Sequence, residues 1–148
     1  MIGETFWPGT SMYDLKHFHM QFGLAALATF LATGFYMRTG LGRLEELEPL
    51  TRLLYRSRHI YILAAAMVHL ALGCYLLPAR DRLPRFLQRL GSSLLLIAGL
   101  ILVVAFFREP PRGKLAAPFS GYGVIILLVG TLCHVAASVV TRKIPAPN

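Results

Sequence analysis

Four long stretches without a single Asp, Glu, Lys or Arg divide this chain: Phe18–Met37, Ile60–Leu77, Leu90–Phe107 and Leu115–Thr141. A helix rising about 1.5 Å per residue needs roughly 20 apolar residues to cross a hydrocarbon layer about 30 Å thick, so each stretch is long enough to span a bilayer. Within 148 residues, four crossings leave room for short connections and for no second domain. Composition agrees, because 55% apolar residues, 15% charged residues and a mean hydropathy of +0.58 lie outside the range of soluble domains. The net charge of +8 resides between the apolar runs, where Lys and Arg meet lipid headgroups or a partner rather than nucleic acid. The expected fold is therefore an all-α integral membrane protein. It is read as one four-helix domain over 1–148, an up-down-up-down bundle with both termini on the same side and spans near 18–38, 59–77, 88–107 and 120–141.

The connections carry the remaining information. Residues 1–16 lack the basic start and compact apolar core of a cleavable signal peptide and read as a small extramembrane tail. Gly40 and Gly42 follow Arg38 and can end the first helix. Residues 39–58 mix Leu44, Leu47, Leu50, Leu53 and Leu54 with seven Arg and Glu residues, which suits an amphipathic surface segment broken at Pro49. Alternatively, Pro49 opens a long second helix whose first turns project from the membrane. Loops 38–58 and 108–114, on side A, hold eight Lys and Arg; side B, with the termini, holds seven, which assigns no orientation.

None of the apolar cores contains a carboxylate, Lys or Arg, which argues against an ion-coupled transporter. Histidine is the exception, with His17 and His19 at the entrance of the first span, His59 at that of the second, His69 inside the second and His134 inside the fourth. His69 and His134 each lie eight residues before the side-B end of their run, about 12 Å deep. Two imidazoles at one level in a helical bundle are the axial arrangement of a low-spin b-type haem, a cofactor that carries electrons. Ala65, Ala66 and Gly73 share the face of His69, and Gly130, Ala137 and Ser138 that of His134, leaving room for a flat macrocycle. Arg80, Arg82, Arg85, Arg142 and Lys143 would neutralise its propionates at side B. No CxxCH sequence offers covalent attachment.

The other motifs are less specific. His17 and His19 form a possible second site, offering copper two imidazoles beside Met20, and otherwise read as interfacial residues; His19 could also assist a quinone. Arg56, Ser57, Arg58 and His59 would hold an anion or anchor the second helix at the headgroups. In size and in these arginines the layout resembles four-helix membrane glutathione transferases, which implies an anionic cosubstrate. Ile60, Tyr61, Ile62 and Leu63 stand where that family's motif requires Asn or Glu. Cys74 and Cys133 form no CxxC pair, and Ser92 and Ser93 have no acid nearby, so disulfide, zinc and nucleophile chemistry are not indicated. The outward rows Phe22, Phe30 and Phe35, with Phe106 and Phe107, are expected to face lipid or another helix. The reading that follows is a membrane subunit carrying electrons through one haem, associated with other membrane subunits or with itself. The alternatives are a non-catalytic accessory subunit and the transferase.

Overall fold

The computed structural model describes residues 12–42, 44–79, 81–112 and 118–143. They form four helices, α1 (Met12–Thr39), α2 (Pro49–Tyr75), α3 (Arg82–Arg108) and α4 (Pro118–Lys143), with 3-10 turns at Leu44–Glu46 and Pro110–Arg112. All four are long and apolar enough to cross a membrane, which makes this an integral multi-pass membrane protein.

Local chemistry sets the helix ends. At the end of α1, Gly40 N–H donates to the Tyr36 carbonyl at 2.7 Å, and Gly42 takes φ +67°, a left-handed conformation natural to glycine. Pro49 stands at the first position of α2, where its missing N–H costs nothing. Residues 49–58 thus belong to a long second helix, and the surface segment shrinks to the short 3-10 turn. α2 stops at Tyr75, shortly before Pro78. Across the link, the Gln88 amide donates to the Leu77 carbonyl at 2.7 Å while its oxygen accepts from Ala79 N–H at 3.1 Å. That clip lets α3 start at Arg82, ahead of its apolar run, and Pro84 fits its first turn because N–H groups there have no helical acceptor. α1 likewise begins at Met12, six residues before the first apolar run.

α1 lies along α2 and α3 along α4, and the two hairpins meet chiefly through α2 and α3. Both central helices bury positions three and four apart: Leu54, Arg58, Ile62, Ala65, His69 and Gly73 on α2, and Ser92, Leu95, Gly99, Leu102 and Phe106 on α3. Leu24, Leu31, Ile125, Leu128 and Leu132 stay exposed on the flanking helices, as a lipid-facing surface requires. Toward side A, Met37, Tyr55, Ile62 and Phe106 form the apolar core. The expected outward phenylalanine rows therefore divide. Phe35 and Phe107 do face outward, whereas Phe106 is fully buried, Phe30 stacks on His59 with ring centroids 4.0 Å apart, and Phe22 packs on His69 at 4.4 Å. The reason is helix rotation, which turns the Phe22 and Phe30 face of α1 onto α2.

Candidate functional site

The side-B half of the bundle interior is polar, and each helix contributes one group. His19 on α1, His69 on α2, Ser92 on α3 and His134 on α4 are all buried, about one and a half to three turns from the side-B ends of their helices. Nδ1 of His19 and Nδ1 of His69 are 2.9 Å apart, one donating and the other accepting. Nε2 of His19 lies 2.8 Å from Ser92 Oγ, and Nε2 of His134 lies 3.2 Å from the same oxygen. The His19 ring stands between the other two, with centroids 4.9 Å from His69 and 5.5 Å from His134.

Counting protons assigns the network. The Ser92 hydroxyl has one proton and donates it to the Gln88 carbonyl at 2.7 Å, so its oxygen accepts from both imidazoles. His19 and His134 then carry their protons on Nε2. His19 Nδ1 is left as an acceptor, and His69 must donate to it from Nδ1. Two nitrogens remain, Nε2 of His69 and Nδ1 of His134, and both are buried without a hydrogen-bond partner. The Leu95 backbone lies close to His69 but completes no hydrogen bond with that nitrogen. With the hydroxyl proton on the Gln88 carbonyl, each of the two is a bare lone pair inside the hydrocarbon region, the state in which imidazole binds a metal or accepts from a ligand; were Ser92 to donate to His19 instead, His69 would carry its proton on Nε2, toward the Leu95 backbone. Among the described residues, no group of three or more His, Cys, Asp or Glu surrounds a common point where a metal ion would sit.

His69 and His134, paired by depth in the sequence, thus share a level but do not face each other across an empty slot, because His19 stands between them. The pairing of His17 with His19 does not hold: His17 is exposed and His19 fully buried, since residues two apart on a helix diverge by about 200°. Gly73 and Gly130 leave no open room. A Cβ on Gly73 would fall 2.8 Å from the Met20 backbone of α1, and one on Gly130 would fall 3.0 Å from the Gly91 carbonyl of α3. These glycines let helices touch. Arg82 is exposed at the start of α3; Arg80 and the side chain of Arg142 lie outside the described residues.

Beside the cluster, a groove of about 530 Å³ opens between α2 and α4, lined by Val68, Ala71 and Leu72 on one wall and Thr131, His134 and Val135 on the other. The Cδ2 edge of the His134 ring abuts Gly91, so its Nδ1 edge is turned away from α3.

A second polar centre lies near side A. His59 Nδ1 is 3.0 Å from Thr33 Oγ1, with the Phe30 ring over the imidazole. Next to it, buried Arg58 donates from Nε to Glu109 Oε2 at 3.0 Å, while Glu109 Oε1 accepts from Ser120 N–H at 3.1 Å. Burial alone would raise the Glu109 carboxyl, but the Ser120 hydrogen bonds and the Arg58 guanidinium outweigh it and hold the group below its ordinary value. Arg58, read as part of an anion site, is thus already matched by Glu109. Sequence reasoning also missed Ser92 and the burial of His19. Depth counting could not have found Ser92: it lies only two residues inside the third charge-free run, and it reaches the level of His69 and His134 because α3 begins at Arg82, ahead of that run. No family model, curated protein or solved structure matches this chain.

Proposed function

We propose that the protein is a small membrane subunit that holds one b-type haem through His69 and His134 and passes electrons within a larger redox assembly. The observation that carries the reading is the convergence of three buried imidazoles from α1, α2 and α4, with Nε2 of His69 left without a partner in the protein. Bound there, the group would supply a one-electron iron couple for electron transfer. The donor types suit the group, because a haem asks only two imidazoles of the protein; the helix contacts at Gly73 and Gly130 would have to open to admit the macrocycle. His69 offers Nε2 while His19 braces its Nδ1, the ligand-and-support arrangement usual for metal-bound histidine. His134 offers Nε2 once it releases its 3.2 Å contact with Ser92, which leaves the proton on Nδ1. Phe22 and Leu95 exclude water from the cluster, and Arg82 is among the side-B cations that would meet the acidic edge of the macrocycle. The described loops are too short to bind a soluble electron donor, so the assembly must supply one.

The test is the absorption spectrum of purified, dithionite-reduced protein, which should show the sharp bands of a bis-imidazole haem. His69→Ala and His134→Ala should each abolish them and His59→Ala, near the other face, should not. Absence of the bands from fully loaded wild-type protein sinks the reading. Equal loss in all three variants indicates misfolding, and loss with His19→Ala but not His134→Ala transfers the second ligand to α1. One observation favours a second reading, an accessory subunit in which the cluster only ties helices together: its hydrogen bonds already link α1 to α2, α1 to α3 and α3 to α4. Under that reading the same variants lower the melting temperature and no spectrum exists to lose.

A further inference from the structure

We infer that the groove between α2 and α4 is a binding site for a lipophilic quinone, in either redox state, with Nδ1 of His134 as its polar anchor. Four observations converge. The groove's volume of about 530 Å³ falls within the range of small-molecule sites, roughly 300–1,000 Å³. Its walls are mostly aliphatic, with Tyr75 toward the side-B end of α2, and among the described residues no charged side chain lines it. A carboxylate, phosphate or ammonium head would enter at the cost of its full desolvation, so the occupant's polar end is neutral. The polar groups on the α4 wall are already engaged: Thr131, Ser138 and Thr141 donate to the carbonyls of Leu127, His134 and Ala137. Among the buried polar atoms of that wall, only His134 Nδ1 has no partner, on a side chain only 4% exposed. A buried polar atom left without a partner is a standing cost to the fold, so a ligand that satisfies it gains both that hydrogen bond and burial of its own apolar body.

Imidazole chemistry narrows the ligand further. With a lone pair on Nδ1, His134 accepts from a hydroquinone hydroxyl; with the proton there, in the other tautomer, it donates to a quinone carbonyl. One side chain therefore meets both forms of a quinone, and a groove open toward lipid admits its tail. The inference rests on the redox reading for the purpose of the ligand. Its site lies apart from the ring edge that faces Ser92.

The test uses the full chain in phosphatidylcholine nanodiscs, incubated with decylubiquinone or decylubiquinol and compared with empty discs for the quinone retained. Saturable retention near one molecule per protein, above partition into empty discs, is expected for both forms. Ala71→Phe and Val135→Phe, which fill the groove from opposite walls, should each weaken it by about tenfold or more, and His134→Leu should do the same by removing a hydrogen bond. Retention equal to that of empty discs overturns the inference, as does wild-type retention in both groove-filling variants; melting curves identify any variant that fails to fold. Haem bands recorded on the same discs separate the two claims. Quinone retained without haem supports this site and overturns the haem reading, whereas haem present without quinone retention overturns this inference alone.

Discussion

Arg58 and Glu109 come together from the side-A ends of α2 and α3. Both side chains are buried, so each charge depends on the other for its solvation. Removing one partner strands the other: Arg58→Ala is expected to cost about 3–5 kcal/mol, while the apolar pair Arg58→Met with Glu109→Leu should cost much less. Melting temperatures of the single and double variants in one detergent check this. The same pair confers a pH dependence of defined sign. Glu109 titrates below its ordinary value in the folded protein, so its contribution is complete above the unfolded carboxylate value, about 4.3, and is lost as pH falls through the folded value. The wild-type melting temperature should fall with acidification below that range, and Glu109→Gln should flatten this part of the profile. An equally steep fall in Glu109→Gln would assign the acid response to other groups.

Helix contacts here depend on backbones meeting where a side chain is missing. Gly73 lies against the α1 backbone at Met20, and Gly91 and Gly130 face each other across α3 and α4, whereas nothing lies within 4 Å of a Cβ at Gly121. Gly73→Val and Gly130→Val should therefore destabilise the bundle by about 1–3 kcal/mol through overpacking. Gly121→Ala should be neutral or stabilising by up to about 1 kcal/mol. Thermal unfolding in detergent ranks the three, and equal effects would contradict the contacts. These distinctions also mark what can be read from sequence. Ile60–Leu77 and Leu90–Phe107 are legible as spans because a charge-free run of that length answers to the bilayer alone. Helix starts are less legible. α1 and α3 begin in polar residues that apolar periodicity does not capture, so His19 reads as interfacial although it sits about two turns inside α1. Rotation is set by neighbouring helices, which is why the depth of His69 and His134 follows from counting but the insertion of His19 and Ser92 between them does not.

The molecule presents lipid-facing aliphatic residues on its flanks and short connections at both ends. If the protein carries electrons as proposed, it needs neighbours to receive and deliver them. Extraction in mild detergent is therefore expected to give a particle clearly heavier than the 16.4 kDa chain with its detergent belt. A haem-loaded monomer by native mass spectrometry, unchanged across mild detergents and lipid discs, would count against the assembly. The polar contacts of the interior also divide along the chain. Arg58, His19 and His69 belong to the first hairpin, while Ser92, Glu109, Ser120 and His134 belong to the second. During synthesis the first hairpin enters the bilayer with an arginine lacking its counter-ion and an imidazole pair lacking its hydroxyl. Neither deficit is corrected by insertion; both close only when the later hairpin docks. Threading into the membrane and completion of the interior are thus separate events in the birth of this protein, and the second waits on its last third.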